Sequence, residues 1–409
     1  MRRPCGRAAR TEPLTGGVAR LEHEAGSHKG EPSGTPTRDL IIAFSAMKCQ
    51  FGLLRLAVTG AEPDVAEAVC LDQWLWDHAF DLVSSRSSGP PAEAAVRRRT
   101  EGPRMDEHGS ILVTGAAGQL GAVGRMVTGL LLDRGLPVRA MVRREDDRAA
   151  ALRVAGAEVV VGDLLEPADV YRVVSGCRRV YFGMSVSARY LEATVTMAAV
   201  AREVGVNALV NMSQMTVSEM SIQNTTPSLQ QRQHWLSEQT LAWSGLAVVT
   251  IRPTVFLEGF FLPLTAPSVR DRDRVELPFG KGKTSPVATA DVARVVAAVL
   301  AEPRPHLGRI YELTGPQSQD MDAIARDYSA ALNREITYSD ISAEDWEREL
   351  KKAGLPEHLI RHLVTMAELN RAGRYDRMAD GVERVTGRKA MSIRDFVSLH
   401  ADQFGGRRS

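Results

Sequence analysis

Between Ile111 and Ile251 the chain repeats one pattern six times: a short apolar run, a glycine or polar break, then residues with helical spacing. The apolar runs cover 111–113, 138–142, 158–161, 179–182, 208–212 and 247–251. Runs this short and this apolar suit strands buried on both faces of a parallel sheet, where each crossover helix covers a face. The spacing predicts those helices over 119–134, 147–154, 168–175, 194–203 and 229–243. Such alternation predicts an α/β fold built on a doubly wound parallel sheet. Ligands of these sheets bind beyond the carboxyl ends of the strands. Gly115, Arg143, Asp163, Met184, Ser213 and Pro253 all fall at those ends, so six strand ends point to one crevice.

The first strand runs into "ILVTGAAGQLG" at 111–121, with three evenly spaced glycines. Gly115 permits a tight turn, Gly118 lets backbone approach a phosphate, and Gly121 lets the next helix pack closely on the strand. That helix carries Leu120, Val123, Val127, Leu130 and Leu131 at helical spacing and stops at Gly135, with Pro137 just beyond. Its first turn leaves backbone N–H groups free, and its dipole favours an anion there. A glycine triplet alone is a weak signal. Lodged between a strand and a capped helix, it favours dinucleotide binding over a merely tight turn.

The second strand ends in Arg143-Arg144. An acid at this position suits the ribose 2′-OH of NAD, whereas arginine suits the 2′-phosphate of NADP, so the pair favours NADP(H) over NAD(H). The alternative is that both arginines are solvated and paired with Glu145, Asp146 and Asp147.

The segments "VTGAAGQLG", "GDL", "SGCRRVYFGMS", "NMSQM", "SGLAVVTIRPTVFLE" and "YELTGP", in this order, resemble the NmrA-like, atypical short-chain dehydrogenase/reductases, over about residues 109–404. The resemblance implies a Rossmann domain, placed at 105–255, and a smaller α+β substrate lobe at 256–409 interleaved with it. It implies NADP(H) held by the glycine loop (Thr114, Gly115, Gly118, Gln119, Leu120, Gly121), by Arg143 and Arg144, and by loops at Asp163-Leu164 and Met184-Ser185, with Pro253 at the sixth strand end. Members are reductases of quinones and related small molecules, or catalytically weak redox sensors that answer to a protein partner.

The wider superfamily pairs a Tyr with a Lys four residues later on one helix. No Tyr in this chain has a Lys at that spacing. In the matching helix, "QQRQHW", Gln230 and His234 stand at those positions. Quinone reduction tolerates the loss, because the oxyanion formed is delocalised and takes a proton from water or histidine. A simple ketone would suffer more, since general acid catalysis contributes roughly 10²–10⁴-fold. His234 and Ser213 are the candidate catalytic residues. The plainer readings are a solvated histidine and a strand-end hydrogen-bonding serine. Asp163 either caps the next helix or lies near the adenine, and Asp291 is expected to cap a helix through Leu300 and position the lobe.

In the lobe, a strand at 336–338 precedes a helix capped by Ser342 with Asp345 at its third position. A helix over 357–370 carries Leu359, Leu363, Met366 and Leu369 in one stripe, and "RAGRYDRM" is expected as a surface loop rather than part of a pocket mouth. Residues 1–104 hold Gly-, Pro-, Ser- and Arg-rich stretches and read as disordered, or as an extension upstream of a natural start at Met105. Its apolar stretch at 40–58 contains Lys48 and Arg55, a poor membrane span, and no signal-peptide core follows the start. Lys plus Arg total 51 against 50 acids, without the basic excess of a nucleic-acid binder. Cys177 stands alone after residue 104 with no metal spacing, which fits a reducing cytoplasm without disulfides or zinc.

Overall fold

The computed structural model describes residues 109–118 and 123–405. Six strands, β1 (Ser110–Val113), β2 (Val138–Val142), β3 (Glu158–Val161), β4 (Cys177–Phe182), β5 (Ala208–Met212) and β6 (Val248–Pro253), alternate with five helices. These are α1 (Val123–Leu132), α2 (Asp147–Val154), α3 (Pro167–Val174), α4 (Tyr190–Glu203) and α5 (Leu229–Trp243). The chain continues through α6 (Leu262–Arg272), β7 (Arg274–Leu277), α7 (Thr289–Ala301), β8 (Ile310–Leu313), α8 (Met321–Leu332) and β9 (Thr337–Asp340). It ends in α9 (Ala343–Lys352), α10 (Glu357–Arg371), α11 (Gly381–Thr386) and α12 (Ile393–Leu399).

The main sheet has seven strands in the order β3-β2-β1-β4-β5-β6-β8, every pair parallel. This is the doubly wound sheet that the strand–helix alternation predicts. Its seventh strand is a finding of the structure: β8 comes from the C-terminal part and pairs Tyr311 with Ile251 of β6. Side chains that alternate along each strand fill two cores. On one face Ile111, Val113, Val127 and Leu131 pack with Val292, Val296 and Leu300 of α7. On the other, Leu112, Val180, Phe182 and Leu209 pack against α3 and α4, where Tyr190 and Met197 are fully buried. A large apolar side chain buried this way contributes about 1.5–3 kcal/mol, so the sheet is the rigid frame of the molecule.

A third core belongs to the lobe, where β7 and β9 form a small parallel sheet. Phe260 stacks on Phe279 at 5.7 Å and lies 6.4 Å from Trp346. Local chemistry sets the lobe's helix starts: Ser342 Oγ accepts the Asp345 amide at 3.0 Å, the expected capping arrangement. One expectation is corrected. Asp291 does not cap its helix, because Ala288 holds the cap position. Its fully buried carboxylate instead accepts the Met391 amide at 2.7 Å and pairs with Arg294. The segment "RAGRYDRM" is largely a surface turn, as expected, with Arg371, Ala372, Gly373, Asp376 and Met378 exposed; Arg374 and Arg377 pair with Glu219, and Tyr375 is buried in the lobe core.

The expectations for residues 1–104, and for Gln119, Leu120 and Gly121, lie outside the described residues. Among the described residues no helix is long and apolar enough to cross a membrane.

Candidate cofactor site

The end of β1 is tied to the end of β4. Thr114 Oγ1 donates to the Gly183 carbonyl at 2.8 Å and accepts the Gly183 amide at 2.9 Å. Between these anchors the backbone turns at Gly115, where φ is +65° and a Cβ would lie 2.8 Å from the Gly183 oxygen. Only glycine meets both conditions. Gly118 closes the turn by donating its amide to the Gly115 carbonyl at 3.0 Å. A close approach of helix to strand falls on Gly124, which the sequence reading did not name. A Cβ on Gly124 would lie 2.8 Å from the Gly115 oxygen and 2.9 Å from the Thr114 oxygen. Its signal was in the sequence, three residues beyond Gly121 in the same glycine spacing.

Beyond this turn lies a cavity of about 970 Å³. Thr114, Gly115 and Gly118 line it from β1, Arg143 and Arg144 from β2, Asp163 and Leu164 from β3, and Met184 and Ser185 from β4. Nine sequence candidates from four strand ends therefore share one wall. Arg148, the Val186–Arg189 stretch and His358 also line it.

Two of the acids beside the arginine pair make their shortest contacts with other arginines. Glu145 pairs with Arg153. Asp146 caps α2 through the amides of Arg148 and Ala149, and accepts the Arg148 guanidinium at 2.5 Å. That guanidinium holds the Asp146 carboxyl below the usual carboxylate range. Arg148 also donates to the Ala117 carbonyl at 2.9 Å, which fixes it beside the glycine turn. Arg144 is left 77% exposed, 3.6 Å from Asp146, and Arg143 has no polar partner among the described residues. Asp163 caps no helix: its Oδ1 accepts the Leu165 amide at 3.0 Å, while the cap position of α3 belongs to Glu166.

Ser213, His234 and Pro253 are not part of the cavity wall. Pro253 ends β6, paired with Leu313. Ser213 donates its hydroxyl to Glu238, whose carboxylate is gripped by Arg252 at 3.0 and 2.5 Å. His234 is 8% exposed, and its ring lies 4.1 Å from that of Tyr190. Gln230 Oε1 accepts the Ser187 amide at 3.0 Å, so the other end of this amide donates to His234 Nε2 at 2.9 Å. The ring proton therefore sits on Nδ1. Burial, and then the nearby His362, push His234 down to about 3. The neutral ring anchors the strap that follows β4 and has no imidazolium proton to give at neutral pH, contrary to the proton-donating part expected of it.

A family profile described as NAD(P)H-binding matches residues 115–303. A (4-alkanoyl-5-oxo-2,5-dihydrofuran-3-yl)methyl phosphate reductase of Streptomyces griseus is 31% identical over 294 residues, covering 72% of this chain and 99% of the relative. The chain belongs to the NmrA-like, atypical short-chain dehydrogenase/reductases. An NAD(P)H azoreductase of Xenophilus azovorans is 28% identical to this NmrA-like chain, covering 72% of it and 99% of the relative. The NADPH-dependent quinone oxidoreductase of Escherichia coli, solved with NADPH, superposes with a TM-score of 0.63 at 23% identity, covering 71% of this chain and 99% of that one, a likeness of fold.

The residues present fit the dinucleotide that NmrA-like proteins bind. The Gly115 turn leaves bare backbone where a phosphate approaches, and guanidinium donors stand at the end of β2. The cavity volume lies at the upper end of the range for ligand sites, about 300–1,000 Å³. Two wall residues missed from the sequence had modest signals: Arg148 as the third arginine of "RREDDR", and His358 as one of two histidines four apart in "EHLIRH".

Proposed function

We propose that this protein is an NADPH-dependent reductase of quinones or similar conjugated acceptors. The observation that carries this reading is the arginine pair at the cavity's edge: Glu145 pairs with Arg153 and Asp146 chiefly with Arg148, its contact to Arg144 being a looser 3.6 Å, so exposed Arg143 and Arg144 remain available to a 2′-phosphate. Thr114, Gly115 and Gly118 would hold the pyrophosphate, Asp163 and Leu164 the adenine side, and Met184 and Ser185 the ribose beyond it. The bound reduced nicotinamide supplies a hydride. The relatives' names, an azoreductase and a quinone oxidoreductase, support acceptors whose π system spreads the charge that hydride transfer creates. Such acceptors need no Tyr and Lys pair. Ser213 and His234 then act behind the wall, holding Glu238 and the Ser187 strap in place.

A second reading, an NADP(H) sensor that regulates a protein partner, draws on the same absence of a Tyr–Lys pair. Oxidation of NADPH and of NADH, followed at 340 nm against a panel of quinones, azo dyes and simple ketones, separates the two. Turnover with quinones and preference for NADPH support the reductase. Tight NADPH binding with no acceptor reduced would favour the sensor.

A further inference from the structure

We propose that His358 of α10 donates the proton that completes reduction of the acceptor, an inference that rests on the reductase reading. Among the described residues lining the cavity there is no Tyr, Lys, Cys or Glu. The arginines there do not release protons at neutral pH. Asp146 and Asp163 are held by hydrogen bonds from Arg148, Ala149 and Leu165. His358 is the remaining wall residue whose side-chain type passes protons near neutral pH.

Its place along the cavity follows from the sheet. In strand order the wall runs β3, β2, β1, β4, with the arginines on β2 and the glycine turn on β1. A dinucleotide with its 2′-phosphate at β2 and its pyrophosphate at β1 directs its other half toward β4. The lobe reaches that same side. His362 Nδ1 lies 2.9 Å from Ser228 Oγ, the N-cap of α5, and two residues further on Gln230 accepts the Ser187 amide. His358 precedes His362 by four residues, so it lies on the same face of α10, one turn nearer the cavity. It is exposed and lines the wall with Ser187, Ala188 and Arg189. Arg189 is committed to Glu192 at 2.6 Å, and on its own helix His358 has Glu357, Arg361 and His362 as charged or titratable neighbours.

A bound reduced cofactor would supply one hydride, which carries both electrons, and the acceptor that takes it is left as an oxyanion. The His358 N–H bond then breaks as a new O–H bond forms, giving the neutral dihydro product, and solvent returns a proton to the imidazole. The site therefore selects acceptors whose reduced form carries an anionic oxygen.

The test uses the full chain as wild type, His358→Ala and His358→Gln. Steady-state reduction of 1,4-benzoquinone is measured alongside calorimetric binding of NADPH, and of the anion of 2-hydroxy-1,4-naphthoquinone to the NADP⁺ complex. His358→Ala should lower kcat by roughly 10²-fold, the low end for a general acid, with NADPH affinity unchanged. It should weaken the naphthoquinone anion about tenfold, the loss of one charge-assisted hydrogen bond. His358→Gln should recover part of the anion affinity through its amide donor, but not kcat. Unchanged kcat and unchanged anion affinity in both variants would overturn the proposal while leaving the reductase reading in place. A wild type inert toward every quinone that still binds the anion through His358 would overturn the reductase reading and uphold the contact.

Discussion

A shift from pH 7 to pH 5 should destabilise this protein more than a variant carrying His234→Gln, by an amount that burial sets. The His234 imidazole is pushed from 6.5 down to about 3, first by burial and then by His362. As the pH falls below 6.5 the unfolded chain takes up a proton that the folded chain refuses until about 3. The stability tied to the neutral ring is therefore whole above 6.5 and is lost progressively as the pH falls from there toward 3. One proton over one pH unit corresponds to about 1.4 kcal/mol. Between pH 7 and pH 5, with a small allowance for the protonation already begun at 7, the loss is roughly 2 kcal/mol. Unfolding entropy of about 2.1 cal/mol/K per residue over roughly 300 residues converts this to a Tm difference of about 3 °C. A glutamine at 234 still offers an acceptor to Gln230 and titrates nowhere in this window. His362, pushed to about 4, and carboxylates held low by arginine partners, such as Asp146 and Asp169, remain in both proteins and cancel. Scanning calorimetry of both proteins at the two pH values gives the difference. Parallel loss of Tm would show that His234 is already solvated or charged in the folded state, and the assignment of a neutral anchor would fail.

Other perturbations test the cavity and its frame. Replacing Arg143 and Arg144 together with Ala should weaken NADPH at least about tenfold, one charge-assisted hydrogen bond, and leave NADH almost unaffected. Equal losses for the two cofactors, measured by calorimetry, would refute a 2′-phosphate contact. Gly124→Ala sets a methyl group against three backbone atoms of Thr114 and Gly115 that cannot step aside, so it should cost about 1–3 kcal/mol and weaken NADPH binding. A variant that melts and binds like wild type would show that the helix slides freely on β1. Glu238→Gln leaves Arg252, 15% exposed, with Glu312 at 3.8 Å as its remaining acidic partner among the described residues. Denaturant unfolding should report a loss near the lower end of 3–5 kcal/mol, and a negligible change would mean that solvent already reaches the guanidinium. Ser342→Ala removes the α9 cap and should cost about 1 kcal/mol without altering cofactor affinity. Loss of affinity in that variant would tie α9 to the site.

Much of the frame is written in local sequence. The bounds of β2, α2, β3, β5 and α5 follow from hydrophobic period, caps and glycine stops alone. The two helices depend on hydrogen bonds and caps within a few residues, and the strands are marked by short apolar runs between turn residues, although their ladder bonds go to distant strands. The positive φ of Gly115 is local in the same way, a turn between a buried strand and a helix. Nine wall residues at four strand ends could therefore be named from the sequence, because a parallel sheet brings its strand ends to one edge.

Other features were decided only when distant segments met. Residues 310–313 become the seventh strand by pairing with β6 across the intervening α6, β7 and α7, and only the packed register shows that β6 is not the sheet's edge. His234 sits on a polar helix that reads as solvated, but it is buried against Tyr190 and Gln230, and that burial keeps it neutral. His358 reaches the cavity from more than 200 residues beyond the glycine turn because His362 docks on the start of α5. Periodicity reports which side of a helix is apolar, whereas burial, protonation and the far wall of a cavity depend on which other element covers that side.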